Sequence, residues 1–213
     1  MSSTLLIGSD NKDVRDFGAT LDAELLALPP VSDKGGWDWA AELETWRDRE
    51  NSGQQFSRIV VAAWAEHLTA GPAIGLDPRG WESRAEQPLA RWAVALGCAV
   101  SRCAGGGSIV AVVDGPTALE CAGWAPETAV AEGVRALTRS LALSEGARGV
   151  RVNTVSTPAR FPLVELVHPA PPLATFPGRL DHEVAGAVRM LLSPDAVGVT
   201  GGIVHADAGR AWR

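Results

Sequence analysis

The chain contains the consecutive stretches GGSIVAVVDG (residues 106–115), AVAEGVRALTRSLALSEGA (129–147) and GVRVNTVSTP (149–158). The first and third hold runs of apolar, mostly β-branched residues, which are typical of parallel strands covered on both faces. The second repeats apolar side chains at helical spacing, for example at Val130 and Val134. A strand, a helix and another strand in this order predict a βαβ unit with a right-handed crossover.

The same alternation extends over the chain and predicts a three-layer, Rossmann-like α/β fold with a parallel sheet and helices on both faces. The predicted strands are Thr4–Ile7, Ile59–Ala63, Ser108–Val113, Val150–Val155 and Ile203–Ala206. The predicted helices are Asp13–Leu28, Trp37–Arg49, Leu89–Cys103 and Thr128–Glu145. With 213 residues and 46% hydrophobic residues, we expect a single domain spanning residues 1–213.

Composition excludes several classes of function. The net charge is −6 and no block of Lys or Arg stands out, so we expect neither a nucleic-acid surface nor a membrane surface. The N-terminal residues MSSTLLIGSD lead into a strand without a targeting pattern. The three cysteines (Cys98, Cys103 and Cys121) lack metal-site spacing and are expected to be reduced, as in a cytoplasmic protein.

The three stretches, together with EVAGAVRMLLSPDAVGVTGGIVHADAG at 183–209, resemble the C-terminal half of the short-chain dehydrogenase/reductase family. The resemblance covers residues 58–213 well and residues 1–57 poorly. It implies a shortened N-terminal βαβ unit, because the family has more strands in that region. It also implies that the Pro-rich segment 158–180 corresponds to the loop over the family's substrate cleft.

The resemblance makes the turn after the first strand the cofactor loop, where glycines let the backbone approach a pyrophosphate at a helix N-terminus. Of the family's three glycines only Gly8 is kept, and Lys12 and Val14 occupy the other two positions. Asp10 and Asp13 place carboxylates where phosphates would lie. Two other interpretations are that Asp10 or the adjacent Asn caps the first helix, or that Lys12 restores a phosphate contact.

A second family turn is also altered. The family has Asn-Asn-Ala-Gly after the strand at 59–63, whereas this chain has Ala-Ala-Trp-Ala, ending at Ala65. The indole of Trp64 is expected to fill part of the nucleotide cleft, or to be ordinary core packing in the same volume. We therefore expect no NAD or NADP bound in the family manner.

The resemblance also locates the family's catalytic Asn, Ser, Tyr and Lys. Those four positions hold Pro88, Asp114, Glu127 and Ala131. In the family, the Lys lowers the pKa of the Tyr so that the phenol can exchange a proton at neutral pH. This chain has no tyrosine, and its only lysines are Lys12 and Lys34. The sequence therefore excludes hydride transfer by the family's mechanism.

The replacements leave two interpretations. Asp114 and Glu127 could face one cleft and form a new acid/base pair. Alternatively, Asp114 belongs to a turn and Glu127 is favoured by the dipole in the first turn of its helix. No metal is expected, because the four histidines show no pairing at metal-ligand spacing. They are His67, His168, His182 and His205.

Features outside the catalytic positions are kept. The helices Leu89–Cys103 and Thr128–Glu145 carry small residues on one face, and the family uses these helices and the segment Gly202–Arg213 as oligomer interfaces. The leading hypothesis is a non-catalytic subunit of a homo-oligomer or of a hetero-oligomer with an active homologue. One alternative is a small-molecule-binding protein or altered enzyme that uses Asp114 and Glu127. A weaker alternative is an atypical NAD(P)-dependent oxidoreductase.

Overall fold

The computed structural model describes residues 4–31, 38–65, 69–162 and 172–210, and its centre is a six-stranded sheet. The strands are β1 (Thr4–Gly8), β2 (Ala23–Ala27), β3 (Phe56–Ala62), β4 (Cys103–Asp114), β5 (Arg151–Thr157) and β6 (Ile203–His205). The helices are α1 (Lys12–Thr20), α2 (Asp38–Glu50), α3 (Pro78–Trp81), α4 (Gln87–Arg102), α5 (Ala125–Ser144) and α6 (Ala185–Leu192). Two π-helical turns, Glu82–Glu86 and Leu180–Val184, lead into α4 and α6.

All neighbouring strands are parallel, in the order β2-β1-β3-β4-β5-β6. The Rossmann-like α/β prediction is confirmed. The doubly wound order 3-2-1-4-5-6 has three strands in its first half, and this sheet has two. The N-terminal unit is therefore shortened, as the resemblance implied.

The predicted helix Asp13–Leu28 is wrong in its second half. The helix α1 ends at Thr20, Asp22 adopts a left-handed backbone conformation (φ 51°), and β2 follows at once. The residues AELLA of β2 are good helix formers, but pairing with β1 outweighs that local preference. The strand lies at the edge of the sheet and is only partly buried, so it lacks the apolar run that marks the other strands.

The hydrophobic core follows the central strands. Ile59, Val60, Ile109 and Val110 have no exposed surface, which is the two-sided burial expected for parallel strands between helical layers. The helix α4 adds the buried indole of Trp92. None of the helices that the structure describes is long and apolar enough to cross a bilayer.

Several residues singled out in the sequence lie outside the described ranges. They are Lys34, Trp37, His67, His168, residues 163–171 of the Pro-rich segment and the last three residues of Gly202–Arg213.

Candidate functional site

The candidate site is the crevice at the carboxyl ends of β1 and β3. The strand order reverses there, because β1 is followed outward by β2 on one side and by β3 on the other. Ligands of open α/β sheets bind at such switch points. The turns after Gly8 and after Ala62, which the sequence singled out, meet at this crevice.

Gly8 is explained by packing between the two turns. A Cβ atom on Gly8 would lie 2.6 Å from the carbonyl oxygen of Ala62 and 3.0 Å from a methyl group of Val14. Only glycine therefore allows this close approach of β1, β3 and α1. The glycine supports the architecture of the crevice independently of any nucleotide.

Asn11 and Lys12 of this loop have partners within helix α1. The side chain of Asn11 accepts a hydrogen bond from the backbone N–H of Val14 at 3.0 Å, so Asn11 caps α1. Lys12 pairs with Asp16 one turn further along the helix, and its side chain is 82% exposed. The capping interpretation is therefore the one that the geometry supports.

Trp64 fills the crevice between β3, β4 and α1. Its indole N–H donates to the carbonyl oxygen of Val112 at 2.7 Å, and its ring centroid lies 5.4 Å from that of Phe17. Its own carbonyl accepts a hydrogen bond from the Ser9 hydroxyl at 2.8 Å. With 1% of its surface exposed, Trp64 is a fixed part of the core at this edge.

Arg160 is a further residue of the site, and the sequence analysis missed it. It follows β5, and its guanidinium carbon lies 4.9 Å from the centroid of the Trp64 ring. Its Nε donates to Asp13 Oδ2 at 2.9 Å, one Nη donates to the carbonyl oxygen of Ala65 at 2.8 Å, and the other binds Asp114. The side chain is only 6% exposed, so this cation is held inside the crevice.

The presence of two carboxylates at one strand edge was the signal that could have revealed Arg160. Asp13 and Asp114 lie far apart in sequence, but the topology brings both to the crevice. Carboxylates that approach each other in a partly buried site need a cation. Lys12, the nearest lysine in sequence, pairs with Asp16 instead. The cation therefore has to be an arginine from the end of another strand.

Burial shapes the electrostatics of Asp114. Desolvation raises the pKa of its carboxyl above the ordinary value of 3.8, and the positive charge and hydrogen bond of Arg160 oppose part of that rise. The negative charge of Glu127 contributes a small further increase to the pKa of Asp114. Arg160 is therefore the group that favours the ionised form of Asp114 in this environment.

Glu127 has an arginine of its own. Both of its carboxylate oxygens accept hydrogen bonds from Arg84, each at 2.8 Å, and its side chain is 11% exposed. The structure thus brings Asp114 and Glu127 to one region but pairs each with a different guanidinium. Neither lines the neighbouring cleft of about 310 Å³, whose polar walls include Glu132, Arg135 and His205.

The other two family positions carry no proton-transfer group. Pro88 lies in the first turn of α4. Ala131 is 2% exposed and packs closely against Gly115. A Cβ atom added to Gly115 would lie 3.1 Å from the Cβ atom of Ala131. Among the described residues, no cluster of His, Cys, Asp and Glu could hold a metal ion.

The crevice does not fit NAD or NADP. A dinucleotide requires a glycine-lined approach to a helix N-terminus and room at the switch point. Here the first turn of α1 carries the carboxylate of Asp13. The indole of Trp64 and the guanidinium of Arg160 occupy the space at the switch point. Like charges at this range oppose a pyrophosphate.

Comparison with known proteins agrees with this architecture. A family model described as enoyl-(acyl carrier protein) reductase matches residues 58–211. No curated protein sequence matches the chain.

Solved structures with the same fold include a short-chain dehydrogenase/reductase from Serratia marcescens (18% identity, TM-score 0.66, covering 99% of this chain and 98% of that one). The landomycin C-6 ketoreductase LanV, solved with NADP and rabelomycin, has 16% identity and a TM-score of 0.67 over 100% of this chain and 98% of its own. BdcA, solved with NADPH, has 20% identity and a TM-score of 0.65 over 99% and 95%. Because the family match covers more than half of the residues, the chain belongs to the short-chain dehydrogenase/reductase family.

Proposed function

We propose that this protein is a non-catalytic member of its family and acts as a structural or regulatory subunit of an oligomer. The oligomer consists either of copies of this chain or of this chain with an active homologue. The observation that carries the proposal is the complete lack of tyrosine, together with an alanine, Ala131, where the family has its lysine. Without a phenol and its activating cation, the family's proton transfer has no donor.

The crevice supports the same conclusion. Trp64 and Arg160 occupy it with directed hydrogen bonds, so opening it for a nucleotide requires breaking a buried ion pair. The alternative function with Asp114 and Glu127 as an acid/base pair receives less support, because each carboxylate is already held by an arginine. An atypical oxidoreductase has only the likeness of fold in its favour.

Support for the oligomer comes from the outer face of α4 and α5. These helices pack beside each other, and several small or apolar side chains on them face outward. The exposed residues are Ala93, Gly97, Ala129, Ala136, Ser140 and Leu143. Leu143 is 85% exposed, and a Cβ on Gly97 would have no described atom within 4 Å beyond its chain neighbours and its own helix backbone. Such a surface lets the helices of a second subunit approach closely.

Sedimentation velocity tests this assignment. We expect the wild-type chain alone, or with a co-expressed active homologue, to sediment as a complex of defined size. Ala136→Glu should weaken association by about tenfold or more, because it places an unpaired charge in the helix–helix contact. Ala19→Glu is the matched control, since Ala19 is exposed on α1, away from this face. A chain that stays monomeric alone and with every homologue tested would contradict the subunit role.

A further inference from the structure

A second cavity, of about 640 Å³, lies at the amino edge of the sheet, opposite the closed crevice. Thr4 and Arg151 are the first residues of β1 and β5, and Arg189 lies in the last turn of α6. Three arginines and four hydroxyl side chains contribute to its walls: Arg58, Arg151, Arg189, Thr4, Ser57, Ser108 and Ser193. The described lining includes neither aspartate nor glutamate.

Within the described residues, two of these arginines, Arg151 and Arg189, donate to carbonyl oxygens and to no carboxylate. Arg151 donates to the carbonyl oxygens of Leu191 at 2.8 Å, Ser193 at 3.2 Å and Val199 at 3.5 Å. Burial lowers the pKa of Arg151, as expected for a cation without a neighbouring anion. Arg189 donates to the carbonyl oxygen of Thr20 at 2.8 Å, its one hydrogen bond among the parts of the chain that the structure describes.

Capping of helix ends explains only part of this arrangement. The carbonyl groups of Thr20 and Leu191 lie at the C-terminal ends of α1 and α6, where cations are favourable. Each helix end supplies about half a negative charge. Two full positive charges, Arg151 and Arg189, therefore exceed what the two helix ends offset.

Donor capacity is also left over. A guanidinium has five N–H groups, so the three bonds of Arg151 leave about two, and the one bond of Arg189 leaves about four. The hydroxyl group of Thr4 lies on a residue that is 5% exposed, whereas that of Ser108, which is 2% exposed, already donates to the carbonyl oxygen of Leu191 at 3.2 Å. At the rim, the Ser193 hydroxyl donates to the carboxylate of the exposed Asp195.

We propose that this cavity binds a small phosphorylated molecule through Arg151 and Arg189. The planar fork of arginine matches phosphate oxygens, and charge-assisted hydrogen bonds of this kind are strong. The protein as a whole carries a net charge of −6, so a positive cavity is a local exception that concentrates anions. At about 30 Å³ for each water-sized group, the volume exceeds that of a phosphate and leaves room for an organic moiety. This site lies away from the proposed subunit contact and does not rest on it.

Isothermal titration of the wild-type chain tests the proposal with inorganic phosphate, glucose 6-phosphate, adenosine monophosphate and unphosphorylated glucose, all at one ionic strength. We expect at least one phosphate ester to bind with a Kd below about 1 mM, at least tenfold tighter than inorganic phosphate, and glucose not to bind. If inorganic phosphate binds as tightly as either ester, the site does not bind the organic moiety, and the proposal of a phosphorylated small molecule is overturned. If neither ester binds, the proposal is overturned.

Variants then locate the site. Arg189→Glu should weaken binding of the ester by at least tenfold, and Arg189→Gln should have a smaller effect of the same sign. Arg79→Glu is the matched control. Arg79 is exposed on α3, outside the cavity, and its substitution changes the net charge of the protein by the same amount. Arg189 is exposed, so these variants are expected to keep the wild-type melting temperature. An equal loss in Arg79→Glu, or no loss in Arg189→Glu, would show that the arginine cavity is not the binding site.

Discussion

At the scale of single residues, Arg160 is the cation that fills the crevice at the carboxyl ends of β1 and β3. Its guanidinium contacts two carboxylates, a carbonyl oxygen and an indole ring in the crevice where a family member would have its cofactor. A buried ion pair contributes little net stability when both partners are present, but removal of one partner leaves an uncompensated charge. The free energy of unfolding should therefore be sensitive to Arg160.

We predict that Arg160→Ala lowers the free energy of unfolding by about 3 kcal/mol near neutral pH. The loss should be smaller near pH 4. Without Arg160 the pKa of Asp114, already raised by burial, rises further, and a raised carboxyl pKa costs stability only as the pH climbs above the unfolded value of 3.8. Urea unfolding of both proteins between about pH 4 and pH 8 measures this difference.

The control for that series is Asp114→Asn combined with Arg160→Ala. Its loss relative to Asp114→Asn alone should vary less with pH than the loss of Arg160→Ala relative to wild type, because neither protein of that pair carries the titrating carboxyl group. A loss in Arg160→Ala that is the same at all pH values would mean that Arg160 does not act through the charge of Asp114.

Local motifs in the sequence point to the family positions that differ in this chain, but they do not point to Arg160. Gly8, Lys12, Val14 and Trp64 stand in short motifs, so local sequence locates them. Arg160 contacts Asp13 and Asp114 over sequence separations of 147 and 46 residues. Such contacts depend on tertiary topology, so the two carboxylates indicate the need for a cation but not which arginine supplies it.

At the scale of elements, apolar runs and helical periods identify the buried parts of the fold. The helix predicted at Thr128–Glu145 is α5, and the strand predicted at Ser108–Val113 is the apolar part of β4. The edge strand β2 was predicted as helix, because its Ala, Glu and Leu residues favour helix locally and its burial is partial. The pairing with β1 that decides its structure is a tertiary interaction.

The pair Glu127–Arg84 belongs to the same scale, since it ties α5 to the π-helical turn before α4. We predict that Glu127→Gln lowers the free energy of unfolding by about 1–2 kcal/mol, because it leaves a largely buried guanidinium without its bidentate partner. Glu132→Gln is the control. Its carboxylate is 62% exposed, so the expected change is below about 0.5 kcal/mol.

Thermal and urea unfolding of the two variants measure the difference. An equal, small effect of both substitutions would mean that Glu127 is not a structural anchor. The interpretation of Glu127 as a proton-transfer group would then regain support.

At the scale of the whole molecule, the doubly wound sheet is retained although its central crevice is closed. The six strands keep the parallel order around the switch point, and the outer faces of α4 and α5 still expose small residues. The crevice filled by Trp64 and Arg160 and the small residues exposed on α4 and α5 are the two features that the proposed subunit role joins. The basic cavity at the opposite edge of the sheet adds a separate place where a ligand could act on the assembly.

The most direct test is a titration of the wild-type chain with NADPH and NADH, followed by fluorescence of its eight tryptophans, with Trp64 in the crevice itself. The closed crevice predicts no saturable quenching up to about 1 mM of either nucleotide, beyond the linear absorption of the titrant. Saturable quenching with a Kd in the micromolar range would contradict the central claim that this fold does not hold its family's cofactor.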